Sequence, residues 1–222
     1  RDESVLATTA EEIRRLAPNI DVITVAGNVS DPQCQQALLD ATPGADILIN
    51  NNGGPPFRDF RELDRKAMTE GITMNMITPI EMINGVIDDM SARGFGRIVN
   101  ITSISVKKPV LGLDLSSGAR AGLTAFLAGV CRSVAHNNVT INNILPGFFN
   151  TDRLQGSFKA SASALGITVE DAAEQRSAQI PAKRFGEPEE FGEACAFLCS
   201  NQAGYITGQN LLLDGGVFES AF

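Results

Sequence analysis

Apolar residues recur along this chain in two alternating rhythms. The segment VLATTAEEIRRLA, from Val5, carries its apolar positions at helical spacing, and IDVITVAG, ending at Gly27, predicts a short strand. DPQCQQALLDAT predicts a second helix, with Asp31 as N-cap and Pro32 at the first helical position. The apolar run ADILIN, ending at Asn50, predicts a parallel strand covered on both faces. In NMITPIEMINGVIDDMSARG, residues Met76, Ile80, Ile83, Ile87 and Met90 form one stripe, and Gly94 ends it. GRIVNIT reads as a strand, and Ala119, Leu123, Phe126, Leu127, Val130 and Val134 stripe the helix that follows. VTINNILPG is the next strand. EPEEFGEACAFLCS is a helix with Pro188 and two glutamates in its first turn, and NLLLDGG closes the series.

Strands alternating with helices predict a single α/β domain over residues 1–222: a Rossmann-like, doubly wound parallel sheet in three α/β/α layers. Ligands in such folds bind at the carboxyl ends of the strands. Residues 148–188 break the rhythm. They are long and polar, with GSFKASASALG in the middle, and read as a substrate-binding loop or lid over the sheet end rather than a structural connector.

The 222 residues suffice for one domain with a full core. Asp and Glu outnumber Lys and Arg by 26 to 18, a formal charge of −8, which argues against a nucleic-acid partner because that needs a basic face. No apolar stretch approaches the ~20 residues that span a bilayer, and no signal peptide is visible. The expectation is a cytoplasmic protein with no membrane partner. Of the four cysteines, Cys195 and Cys199 lie one helical turn apart, while Cys34 and Cys131 are distant. A metal or redox site would want neighbouring His or Cys, and the only histidine is His136. The pair therefore reads as buried thiols on the inner face of a helix, with no metal site.

The predicted strand ends carry the candidate chemistry: AGNVSD, NNNGGPP, TSISV and PGFFNTD. Glycines and asparagines there let backbone approach a ligand and offer it amide groups. Together these stretches resemble the short-chain dehydrogenase/reductase family from Arg1 to about Gly216, with the 3-oxoacyl-carrier-protein reductases as the nearest general likeness. The family's NNAG appears as Asn50-Asn51-Asn52-Gly53, and its helix asparagine as Asn75. Its SS pair matches Thr102-Ser103, its PG…T matches Pro146-Gly147…Thr151, and its closing motif matches Thr207-Gly208-Gln209…Asp214-Gly215-Gly216.

The resemblance implies a first strand, a glycine-rich phosphate turn, a helix and a second strand ahead of Arg1, so a longer native protein is expected. It places Arg1 near the adenosine ribose, where an arginine can pair with a 2′-phosphate. This favours NADP(H) over NAD(H), the alternative being a surface arginine that opens a helix. Asn28 stands where the family has an aspartate for the adenine amino group, and its amide oxygen can accept the same bond without charge. Val29, Asn51, Asn52, Gly53, Pro146, Gly147 and Thr151 are the other cofactor-binding positions so implied. The partner is then a small carbonyl or alcohol, and the family's habit implies a homodimer or homotetramer.

For catalysis, the resemblance implies a tyrosine and a lysine four residues apart, with a serine polarising the carbonyl. Ser103 keeps the serine. The tyrosine register, thirteen residues on, falls at Ser116, and the lysine register at Arg120. A phenol has a pKa of about 10, whereas a serine hydroxyl is far less acidic, and its oxygen lies roughly 4 Å closer to the backbone. Arg120 keeps the charge and can hold a ribose, but it cannot release a proton near neutral pH. Among stand-ins, Tyr205 lies in a structural segment, and His136 is about 24 Å along the helix. Asp114 reads as a turn or N-cap residue, and Ser105 and Ser117 are equally weak acids. Two readings stay open: a divergent reductase using Ser103, Ser116, Arg120 and Asn75, or a silent NADP(H)-binding sensor or scaffold.

Overall fold

A computed structural model describes residues 2–220, without the side chains of Arg153, Ala160 and Ala164. The predicted rhythm is largely met. Helix α1 spans Glu3–Leu16 and α2 Pro32–Ala41, the latter capped by Asp31 with Pro32 in its first turn. Strand β1 is Ile47–Asn50. Helices α3 (Arg65–Ile72), α4 (Thr78–Asn84) and α5 (Ile87–Arg93) lead to β2 (Gly96–Ile101). The long α6 (Asp114–Val134) precedes β3 (Val139–Pro146). Helices α7 (Asp152–Leu165), α8 (Val169–Ala178) and α9 (Pro188–Cys199) lead to β4 (Asn210–Leu213).

Four strands pair in parallel in the order β1-β2-β3-β4. One face buries Ile98 and Ile141 against Ile83, Ile87 and Met90 and against Leu123, Leu127 and Cys131 of α6. The other buries Val99 and Ile144 against Cys195 and Leu198 of α9. Helices therefore cover both faces, as a doubly wound sheet requires. A row of asparagines fixes the register: Asn50, Asn100, Asn143 and Asn210 stand abreast on the four strands. Asn50 donates to Asn100 (3.0 Å) and Asn143 to Asn210 (2.9 Å). A one-residue slip would turn these amides toward the opposite, apolar layer.

Four expectations are corrected. Residues 20–27 are extended but form no ladder, and Ile23 is 63% exposed. Alternating apolar residues favour an extended chain, yet a strand also needs a neighbour to take its N–H and C=O groups, and none lies alongside among the described residues. Strand β1 is covered on one face only: Leu48 packs against the core, while Ile47 and Ile49 on the other face are about half exposed. The stripe from Met76 to Met90 is not one helix. It breaks at Gly85–Val86 between α4 and α5, and Gly94 ends α5 in the left-handed conformation (φ 71°) that glycine adopts without strain. Finally, residues 148–188 are not a loop. They hold α7 and α8, which pack on each other through Phe158, Ala162 and Ala172, with Phe185 against them.

Buried charge appears at the opposite end of the sheet from the candidate site. The Arg97 side chain is 1% exposed. Its guanidinium donates to the carbonyls of Ser200 (3.1 Å), Gly96 (2.8 Å) and Asn138 (2.8 Å) and to Asn138 Oδ1 (3.2 Å), and stacks 4.4 Å from the Phe95 ring centre. Burial holds its pKa below the ordinary arginine value.

Candidate active site

Three elements converge where β1 and β2 end. Between α3 and α4 the chain makes one π-helical turn, Thr73–Ile77, in which the Thr78 N–H reaches back five residues to Thr73. Pro79 has no N–H to bond the Asn75 carbonyl four residues before it, so a regular α-helical ladder is interrupted there. Asn75 is turned inward, fully buried, and donates to the Gly53 carbonyl (2.7 Å). Asn52 donates to the Met74 carbonyl (2.8 Å), which ties the loop after β1 to the same turn.

Helix α6 supplies the rest from its first two turns. Asp114 is its exposed first residue, and Leu113, not Asp114, is its N-cap. Ser116 and Arg120, both buried, face the π-turn on one side of the helix, as their four-residue spacing dictates. The Ser116 hydroxyl donates to Asn75 Oδ1 (3.1 Å) and accepts from Arg120 Nε (3.2 Å). The guanidinium also donates to the carbonyls of Ile101 (2.7 Å) and Asn52 (3.3 Å), bridging the ends of both strands. Asn75, Ser116, Arg120, Asn52 and Gly53 are thus brought into one network, and in it the serine proton and the arginine donors are directed at the protein's own acceptors.

The remaining candidates sit around this network. Ser103 is half-buried, two residues past the Ile101 carbonyl that Arg120 holds, and accepts from the Ser105 N–H (3.1 Å). Asn51 and Gly53 are exposed at the mouth, and a Cβ at Gly53 would meet nothing within 4 Å. Asn28 is exposed in the turn after residues 20–27, and the Val29 carbonyl accepts from Gln35 (3.0 Å), which also binds Glu81 of α4. Thr151 caps α7 through the Leu154 N–H (3.4 Å). Arg1 lies outside the described residues. The stand-ins weighed from sequence are not part of the network: Tyr205 is fully exposed, and His136 is exposed at the far end of α6.

The Pro146–Gly147 pair has a packing reason of its own. The Gly147 N–H donates to the Leu213 carbonyl (2.8 Å), and a Cβ on Gly147 would stand 2.8 Å from Asp214 Cα. Gly147→Ala must therefore push the end of β4 outward. The expected cost is about 1–3 kcal/mol of stability, read as a lowered urea midpoint with unchanged slope. Beside this contact, Phe148, Phe149, Phe185, Arg184 and Glu190 line a cavity of about 200 Å³ that does not include Ser103 or Ser116. Arg184 grips Glu190 through two 2.7 Å bonds and brings its carboxyl down to about 2.

Sequence reasoning missed the acceptors of Arg120, because main-chain carbonyls carry no residue signature. The π-turn did leave a signal, a polar Asn75 four residues before Pro79 on an otherwise apolar stripe.

Comparison with known proteins agrees with this layout. The family described as Enoyl-(Acyl carrier protein) reductase matches residues 4–218. An acetoacetyl-CoA reductase of Cupriavidus necator is 34% identical over 205 residues, covering 90% of this chain and 79% of the relative. The NADPH-dependent reductase BacG of Bacillus subtilis is 31% identical over 219 residues, covering 97% and 85%. Among solved structures, YwfH, an NADPH-dependent reductase of bacilysin biosynthesis, superposes with a TM-score of 0.92 at 31% identity, over 99% of this chain and 87% of its own. L-sorbose reductase from Gluconobacter frateurii, solved with NADPH and L-sorbose, gives 0.92 at 25% identity, over 99% and 85%.

Proposed function

This chain belongs to the short-chain dehydrogenase/reductase family, and from that premise we propose that it is an NADP(H)-dependent oxidoreductase. It reduces a carbonyl, of 3-oxoacyl type, or oxidises the matching secondary alcohol. The observation that carries the reading is the buried Asn75–Ser116–Arg120 network, held at the strand ends where such a fold binds its ligands. NADPH-dependent reductases among the relatives support the choice of cofactor.

The residues present suit that cofactor. The open space over Gly53 admits a close-lying ligand, and amide and main-chain groups gather around it. Asn28 and Val29 would meet the adenine, Asn51, Asn52 and Gly53 the ribose, and Pro146, Gly147 and Thr151 the nicotinamide amide. When bound, NADPH supplies the hydride for the carbonyl carbon. Ser103 polarises the carbonyl oxygen. Arg120 places a fixed positive charge beside the ribose and keeps its proton throughout. The proton reaches the oxygen through a water that Ser116 orients, and this requires the bond to Asn75 Oδ1 to turn over. Helices α7 and α8, with a small core of their own, act as the lid over the substrate. The four free thiols suit a reducing, cytoplasmic setting. The faces of α3 and α6, with Met68, Ile72 and Phe126 partly exposed, serve a homodimer or homotetramer.

A second reading, a silent NADP(H)-binding sensor or scaffold, draws on the same network, since Ser116 and Arg120 are directed at internal acceptors. Absorbance-monitored NADPH oxidation against 3-oxoacyl thioesters and cyclic ketones separates the two. Turnover on a member of the panel is the expected result. Tight NADPH binding with no turnover on any of them would establish the silent reading.

A further inference from the structure

The proposed function gives no role to the segment that follows β4, Asp214–Glu219. It starts beside Gly147 at the end of β3, and the Asp214 carboxylate shapes it. That carboxylate accepts from the Gly216 N–H (2.9 Å) and the Phe218 N–H (2.7 Å). The segment first lies against the exit of α8. The Gly215 carbonyl accepts from the Ala182 N–H (3.0 Å), and a Cβ on Gly215 would stand 2.9 Å from Ile180 Cγ2. A Cβ on Gly216 would stand 3.2 Å from Pro181 Cβ. Further on, it lies against the loop after β2. Lys108 Nζ donates to the Val217 carbonyl (3.0 Å) and stands 3.8 Å from the Glu219 carboxylate. Lys107 Nζ lies 5.3 Å from the centre of the Phe218 ring.

Lys107 and Lys108 close the turn that Ser103 opens. Their N–H groups both bond the Ile104 carbonyl (2.9 Å each), and the Val106 N–H bonds the Ser103 carbonyl (3.1 Å). Ser103 Oγ accepts from the Ser105 N–H (3.1 Å). Such a single 3₁₀ turn has poor hydrogen-bond geometry and is weak by itself. An outside clasp therefore decides how firmly Ser103 is held.

We propose that Asp214–Glu219 is a strap that holds the exit of α8 and the Ser103 turn as one wall of the substrate cleft, with Lys108 as the positioning residue for Ser103. This rests on the reductase reading, in which Ser103 polarises the carbonyl and α7 and α8 form the lid. One bond carries most of the clasp. The pair with Glu219 is long and the Glu219 side chain is 89% exposed, so it contributes little. The bond to Val217 is charge-assisted and formed by a half-buried lysine, where salt screens it less. The contact of Lys107 with the Phe218 ring adds a smaller, second hold.

Amide hydrogen exchange of the whole chain, read by mass spectrometry, tests the strap without a substrate. Lys108→Met keeps the apolar stem and removes the donor. Exchange should rise about three- to tenfold in peptides covering residues 103–108 and also, at the far end of the strap, in those covering 179–183. Lys108→Arg can donate to the same carbonyl and should keep both regions at the natural rate. Phe218→Ala, made from the other side of the clasp, should loosen the same two regions by less. With a thioester that the protein reduces, Lys108→Met should lower kcat about tenfold and leave the KM for NADPH unchanged, because Ser103 acts on the carbonyl and not on the cofactor. A rise confined to 103–108, no rise in either region, or an unchanged kcat overturns the proposal. If no thioester is turned over, the reductase reading falls, and the exchange rates alone decide on the strap.

Discussion

Replacing Ser116 by tyrosine and Arg120 by lysine together is expected to raise NADPH-dependent turnover of a 3-oxoacyl thioester by about 10²–10⁴-fold, the contribution of a well-placed general acid. The argument rests on what the two side chains now do. Ser116 Oγ sits between Asn75 Oδ1 and Arg120 Nε, with its proton directed at the asparagine. Its oxygen is too close to the backbone and too weak an acid to reach an oxygen in the open site directly. A tyrosine on the same Cα carries its hydroxyl roughly 4 Å further out and brings its pKa within reach of tuning. Lysine at 120 lowers that pKa by charge and can pass a proton on, which arginine cannot. Ser116→Tyr alone should gain less, because Arg120 stays bonded to the Ile101 and Asn52 carbonyls and relays nothing. Arg120→Lys alone should gain nothing and lose stability, since one ammonium cannot replace the guanidinium's bridge between two strand ends. Absorbance at the NADPH band reads the rates, and circular dichroism checks the fold. A folded double variant that binds NADPH but turns over no faster would show that the frame cannot orient a substrate.

Arg97→Ala should cost roughly 3–4 kcal/mol of stability. The side chain is the largest of those fully buried, and its removal strands the carbonyls of Ser200, Gly96 and Asn138 while leaving a void against Phe95. One opposing effect is the relief of burying a charge, which burial already expresses as a lowered arginine pKa. Arg97→Met separates the two effects. It refills the space without the charge, so it should cost less than alanine, and the difference measures the void. Urea unfolding at constant slope reads both variants. A loss under about 1 kcal/mol for alanine would mean that the burial cost of the cation cancels its bonds.

Much of the architecture was readable along the chain. Ile98, Ile141 and Ile144 lie in apolar runs bounded by turns, and they are buried strand residues because no other element satisfies such a run. Asp31 with Pro32, and Gly94 after its stripe, mark helix ends through local dihedral and capping chemistry, which neighbours in sequence dictate. The likeness to the family singled out Ser103, Ser116 and Arg120, and the four-residue spacing of the last two predicts that they share one helix face. The helices within 148–188 were not, since their apolar residues pack mainly on each other and leave no strong stripe toward the sheet.

By itself, then, the sequence determined the alternation of strands and helices, the ends of several helices, and the placing of Ser116 and Arg120 on one helix face. Only the tertiary structure decided what those two residues touch. Arg120 donates to the carbonyls of Ile101 and Asn52 as well as to Ser116, and Ser116 donates to an amide 41 residues away. The same holds for residues 20–27, whose apolar alternation suits a strand although no partner lies beside them among the described residues. Local propensity is carried by adjacent residues, but a hydrogen bond needs two groups in one place, and only the fold brings them together.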